Sequence, residues 1–189
     1  RIHRSCVGDV REIIVPSRYG AGICEMFGFQ SPKVLRPGIR SDEGGYVPPP
    51  SDGSMLFTAR LVRGKGLAVL FRAFRDLDPS LSARLLVAGR GPEEAQLRSL
   101  SKSLGLSGRV QFLGYRSPAE LAVIRRQVDI LVIPSIIPEM VSLVALEAMA
   151  SGRPVVSSDA GGIPEFVADQ TTGLVTRAGD PEDLRRALE

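Results

Sequence analysis

Arg60 and Lys65 share one glycine-punctuated stretch, Ala59-Arg60-Leu61-Val62-Arg63-Gly64-Lys65-Gly66. Two cations this close, just ahead of a helix, can converge with helix N–H groups on one anionic group, and a diphosphate is the natural guest. A solvated basic turn has the same composition, so the stretch alone leaves both readings open. Glu139 and Glu147 follow the spacing E-x7-E. Two carboxylates in one strand-to-helix unit can accept hydrogen bonds from two hydroxylated parts of an extended ligand, such as a sugar and a ribose. Their bland alternative is a capping acid and a surface glutamate. Glu147 resists that alternative, because its segment Leu143 to Ala150 is apolar nearly all round and an acid embedded there needs a partner.

Other polar loops say less. Gly89-Arg90-Gly91 resembles a phosphate turn without completing a nucleotide fingerprint. Gly161-Gly162 permits close backbone approach or positive φ, which serves a ligand and the chain equally well. His3 receives no role, Asp129 reads as structural, and no GxGxxG, Walker loop or metal-ligand spacing occurs.

The elements that must carry these residues are legible in the apolar pattern. Short runs at Met55 to Ala59, Leu85 to Ala88, Val110 to Leu113, Ile130 to Ile133, Pro154 to Ser157 and Gly173 to Thr176 read as strands. Such unbroken runs suit a parallel sheet covered on both faces. Amphipathic segments alternate with them. Leu67, Leu70, Phe71, Phe74 and Leu77 mark one helical face, and Ser117-Pro118-Ala119-Glu120 reads as a capping box. Asp180-Pro181 opens a last helix, while Gly105 and Gly152 sit where helix C-terminal glycines belong. The expectation is six βα units in an α/β, Rossmann-like, doubly wound parallel sheet. In such a sheet ligands bind outside the strands' C-terminal ends, where the four polar loops fall.

Residues 54–189 form that domain in this reading. Ile13 to Val15, Arg18 to Phe27 and Val34-Leu35 read as a βαβ remnant of a preceding domain, residues 1–40, and the Pro/Gly-rich stretch 41–53 as a linker. Parted from its own sheet, the remnant is expected to be poorly ordered or to bury its apolar residues against a neighbouring chain. The absence of an initiator Met and the short final helix suggest a fragment. Composition narrows the class further. With 43% hydrophobic and 24% charged residues the chain is an ordinary globular protein, and a net charge of +3 is too mild to argue for nucleic acid. Cys6 and Cys24, far from any CxxC spacing, fit a reducing compartment, and no apolar run is long enough for a membrane span.

The ordered set of motifs resembles a known family. Arg60 to Gly66, Gly89 to Pro92, Val110 to Gly114, Pro134-Ser135, Glu139 through Glu147 to Val156, and Gly161 to Glu165 resemble the C-terminal domain of GT-B retaining glycosyltransferases of family 4, the glycosyl transferases group 1. The opening Ile14 to Ser17 and Val34 to Gly38 look like the closing strands of that family's N-terminal domain.

The resemblance implies the donor-binding half of an enzyme that moves a sugar from a UDP-, GDP- or other nucleotide-diphosphate sugar to a carbohydrate, lipid or small-molecule acceptor, with retention and without a metal or cofactor. By carry-over Arg60 and Lys65 bind the diphosphate and Glu139 holds sugar hydroxyls. The backbone of Met140, Val141, Ser142 and Leu143 meets the sugar or its phosphate, and Glu147 binds the ribose. Gly64 and Gly89 belong to the donor loops, and Tyr115 with Arg116 lies near the base. The family's E-x-F-G pattern is replaced here by Glu139-Met140-Val141-Ser142, so the backbone approaches the sugar without the usual glycine. Nucleic acid is not an implied partner. The expected location is cytoplasmic, with peripheral contact at the inner membrane face left to the rest of the N-terminal domain. A non-catalytic nucleotide-sugar-binding module and a GT-B epimerase-like enzyme are the alternatives.

Overall fold

The computed structural model describes residues 10–39 and 46–189. His3, Cys6 and the first part of the 41–53 linker lie outside the described residues.

Parallel strands β3 (Ser54–Thr58), β4 (Arg84–Ala88), β5 (Val110–Gly114), β6 (Ile130–Ile133), β7 (Val155–Ser158) and β8 (Gly173–Thr176) make one sheet of order β5-β4-β3-β6-β7-β8. The chain works outward through β4 and β5, returns to β6 beside β3, then works outward the other way. This is the Rossmann-like α/β sheet expected from the apolar runs. Alternate strand residues feed opposite faces, as the period of two requires. Met55, Phe57, Val87 and Val132 join a core under α2 (Leu67–Arg75), α3 (Glu94–Ser103) and α6 (Pro181–Leu188). Leu56, Leu131, Ile133 and Val155 join a second core under α4 (Pro118–Arg126) and α5 (Leu143–Ala150).

Local signals explain most element ends. Ser117 accepts from the Glu120 amide while Glu120 accepts from the Ser117 amide at 2.8 Å, completing the α4 capping box. Asp180 accepts from the amides of Glu182 and Asp183, both at 3.0 Å, at the head of α6. Gly105 and Gly152 adopt φ of +73° and +69° just beyond α3 and α5. Asp129 is structural, accepting from the amides of Asp52 at 2.9 Å and Ser54 at 3.0 Å where the chain enters β3. One expectation needs correction. Between β7 and β8 stands a single 3-10 turn, Ile163–Glu165, in place of a full crossover helix. Pro164 inside that turn and the preceding Gly161-Gly162 explain why no longer helix grows there.

The N-terminal segment forms β1 (Ile14–Val15), α1 (Arg18–Met26) and β2 (Lys33–Val34), with the two strands paired in parallel. Its helix is seated on the main domain: Glu165 accepts from the amides of Arg18 at 2.8 Å and Tyr19 at 2.7 Å, and the cap residue Ser17 is fully buried. Ile14, Met26, Phe27 and Leu35 stay exposed.

Several carboxylates that cap or pair in the helices are held below their ordinary range. A hydrogen bond from the Ser117 amide does this for Glu120, one from the Arg177 amide for Asp183, and the Arg185 guanidinium takes Glu182 down to about 2. Lowered folded values mean that the unfolded chain binds more protons, so their contribution is present above the ordinary value and is lost on acidification. The melting temperature is expected to hold down to about pH 5, then fall as pH drops from 4.5 to about 2. Glu182→Gln should flatten part of that slope in a calorimetric pH series.

Candidate functional site

β3 and β6 are neighbours whose following chains leave in opposite directions, so their C-terminal ends open into a crevice. A cavity of about 330 Å³ occupies it, lined by Phe57 to Arg60 from β3 and its loop, Lys65, Val132 to Ser135 from β6, Glu139, and Val141 to Val144 at the head of α5. A second cavity of about 300 Å³ shares Thr58, Ala59 and Arg60 and continues past Gly89, Arg90, Tyr115, Arg116 and Leu121. Arg60 and Lys65 face a single carboxylate, Glu139, on the first wall; on the second, Arg116 pairs with Glu120 at 3.6 Å while Arg60 and Arg90 have no ion-pair partner among the described residues. The pair of cavities therefore suits an elongated anion. A larger hollow of about 750 Å³ lies in the β1–α1–β2 unit between Val10 to Ile13 and Glu25 to Gln30, away from these strand ends.

The Lys65 ammonium donates to Glu139 Oε2 at 2.6 Å across the first cavity. The two loops are tied together behind this pair, where the Ile136 amide donates to the Gly64 carbonyl at 2.9 Å. Gly66, at φ +73°, ends the Arg63–Lys65 turn so close to β6's loop that an added Cβ would stand 1.7 Å from the Pro134 carbonyl oxygen. Ser135 holds the other side of the carboxylate: its buried hydroxyl donates to Glu139 Oε1, and its own carbonyl accepts from Ser158 Oγ at 2.6 Å. Both Glu139 oxygens are thus engaged. Sequence reasoning passed over the Ser135 hydroxyl, because a serine after a buried strand carries no chemical signal until its partner is known.

The glycine motifs resolve into chain geometry. Gly162 donates its amide to the Glu139 carbonyl at 2.7 Å, and Gly161, at φ +69°, bridges to Glu139. A Cβ on Gly162 would come within 2.5 Å of the Met140 carbonyl oxygen. Gly89 and Gly91 let the loop after β4 lie on the loop after β3, since their Cβ atoms would fall 1.9 Å from Ala59 O and 2.2 Å from Leu61 O. Ser142 occupies the family's glycine position at φ −112°, a conformation that needs no glycine, and its hydroxyl accepts from the Ala145 amide to cap α5.

The structure gathers Arg60, Lys65, Glu139, Val141, Ser142 and Leu143 around the first cavity and Gly89 and Tyr115 around the second. Gly64, Met140 and Glu147 line neither: Gly64 packs on Ile137, Met140 is partly exposed beside α1, and Glu147 stands one turn further along α5 than Leu143. Nor is Glu147 embedded as its apolar neighbours imply. α5 turns Ala145 and Ala148 to the sheet, which leaves the Glu147 side chain 40% exposed, and it meets Arg125 Nη1 at 2.9 Å. Among the described residues no group of three or more His, Cys, Asp or Glu could hold a metal, and no helix is long and apolar enough to cross a membrane.

The sequence profile of the glycosyl transferases group 1 family matches residues 44–189. The chain belongs to that family. Among its relatives, the D-inositol 3-phosphate glycosyltransferase of Corynebacterium diphtheriae is 39% identical over 143 residues, 71% of this chain and 33% of that protein. HepE of Anabaena, solved with UDP and glucose, shares 27% identity and a TM-score of 0.80 over 94% of this chain and 52% of its own. Sucrose-phosphate synthase of Thermosynechococcus elongatus gives 26% and 0.81, over 97% of this chain and 49% of its own. The group 1 chain spans about a third of the curated relatives it matches and about half of these solved structures. Its sheet is the Rossmann-like sheet of these GT-B glycosyltransferases.

The close approaches set a stability test for this group 1 fold. Gly66→Ala and Gly89→Ala combine positive φ with a backbone clash and should each cost more than about 2 kcal/mol in denaturant unfolding. Gly22→Ala, in α1 with open space around the added methyl, should cost nothing or stabilise slightly.

Proposed function

We propose that the chain is the donor-binding part of a retaining glycosyltransferase of family 4, transferring a sugar from a nucleotide-diphosphate sugar to an acceptor hydroxyl. The supporting observation is the pairing of Lys65 with Glu139 at the β3/β6 crevice, with Arg60 shared by both adjoining cavities. An ammonium has three donors and Glu139 takes one, so Lys65 keeps two for phosphate oxygens. Arg60 has no ion-pair partner among the described residues and offers its guanidinium to the same diphosphate.

In this reading the bond between the sugar's anomeric carbon and the diphosphate breaks while the acceptor hydroxyl oxygen bonds to that carbon on the same face and passes its proton to the departing diphosphate oxygen. Charge grows on the departing diphosphate, and Arg60, Lys65 and the head of α5 at Ser142-Leu143 are already aimed at it. Protein cations then do what a metal does elsewhere, so the reading calls for no cofactor. Glu139 holds the sugar hydroxyls, the Met140 to Leu143 backbone walls the sugar, Glu147 takes the ribose and Tyr115 flanks the base. Residues 1–40 belong to the acceptor-side domain and 41–53 to the linker. UDP is the first donor nucleotide to test, because the solved HepE relative carries it. The protein works in the cytoplasm, touching a membrane only through its acceptor half.

Arg60→Ala and Lys65→Ala in the whole protein should each lower turnover by about 10²- to 10³-fold. Arg60 is exposed, so its removal should leave stability within about 0.5 kcal/mol. Unchanged turnover in both variants of a purified, donor-saturated enzyme would refute the assignment. Glu139→Gln should weaken the nucleotide sugar while sparing the bare nucleotide diphosphate, a split that calorimetry reads directly.

A further inference from the structure

The Arg125–Glu147 pair is lopsided. Arg125 is buried, 7% exposed in its side chain against 40% for Glu147, and only Nη1 reaches the carboxylate, at Oε2. Arg125 Nε is buried without a hydrogen-bond partner. A pair selected for stability would meet fork to fork, with both carboxylate oxygens used and no buried donor stranded. Here one carboxylate oxygen is left for another donor.

Arg125 is itself fixed from below. Fully buried Arg153 donates through Nε to the Arg125 carbonyl and through Nη2 to the Arg126 carbonyl, both at 2.9 Å, and so clamps the C-terminal end of α4. Four residues before Arg125, Leu121 lines the second cavity, and four residues before Glu147, Leu143 lines the first. Residues four apart share a helix face. The ion pair therefore links the two helices that wall the cavities, one turn along each from its lining residue, and so lies between the cavities, on the side of the middle of a ligand that occupies both. In a nucleoside diphosphate with its base in one cavity and its phosphates in the other, that middle is the ribose.

We infer that Arg125 is a positioning residue: from beneath, it fixes the Glu147 carboxylate so that the free oxygen receives the vicinal hydroxyls of the ribose. The inference rests on the assignment of Glu147 to the ribose made above and goes beyond it in naming what aims that carboxylate. A buried arginine that merely braced two helices would not distinguish one sugar from another.

The test is calorimetric titration of the whole protein with UDP, GDP and ADP, then of the tightest of these against its 2′,3′-dideoxy counterpart. Wild type should bind the ribose form about 10-fold or more tightly than the dideoxy form, because the lost bonds are to a charged acceptor. In Arg125→Met that ratio should fall below about threefold, with dideoxy affinity unchanged, matching Glu147→Gln; the double variant should fall no further. The melting temperature of Arg125→Met should hold or rise, since Glu147 is left partly in water and a methionine fills the buried stem without a stranded donor. An Arg125→Met ratio equal to wild type, or equal weakening of both ligand forms, would overturn the inference while leaving Glu147 on the ribose. A wild type that does not discriminate the two forms, or binds none of the three nucleotides, would overturn the Glu147 assignment and this inference with it. Should Arg125→Met fail to fold, Arg125→Gln carries the same readout.

Discussion

Neighbouring strands β3 and β6 send their chains away in opposite directions, and nearly everything functional in this molecule follows from that parting. No crossover covers the gap between their ends, so the loops on either side must be held apart and yet in register. The Gly64 carbonyl with the Ile136 amide does this through backbone, and Lys65 with Glu139 does it through charge. The ion pair is a partly buried contact in a crevice that water still enters, so its attraction is stronger than that of an open surface pair and its desolvation cost lower than in a sealed core. It can hold the loops while leaving the ammonium with donors to spare.

Glycine is the second requirement of the same geometry. Loops that carry polar side chains to one point must pass close to each other, and at Gly66, Gly89, Gly91 and Gly162 the neighbouring backbone stands where a Cβ would be. The residues that face the cavities and the residues that make room for them are therefore largely different sets, with Gly89 alone of these four in both. Mutating the second set would look like loss of function while acting through the fold.

Much of this was legible in the sequence because the signals are local. A strand buried on both faces must be apolar throughout, which is why β3, β4 and β6 stand out, and the Ser117 and Asp180 caps are complete within four residues. Arg60, Lys65 and Glu139 were legible through spacing. What stayed hidden depends on contacts across the chain. Ser135 acquires meaning only from Glu139 and Ser158, and Arg125 only from Glu147 and Arg153. Glu147 reads as embedded in the sequence because an apolar count cannot tell which side of a two-turn helix meets the sheet. The β7–β8 connection reads as a full unit in the sequence because the strand pattern on either side is regular, while the turn between them is set by Pro164 and two glycines.

Glu165 gives the molecule a mechanical property as well. Its carboxylate carries the first turn of α1, and three residues earlier Gly162 grips the Glu139 carbonyl, with only the Ile163–Glu165 turn between them. A swing of the β1–α1–β2 unit therefore has one proline-stiffened turn of chain in which to dissipate before it reaches the carboxylate that partners Lys65. The lever arm between the two units and the crevice is a few residues long, and its fulcrum is a side chain.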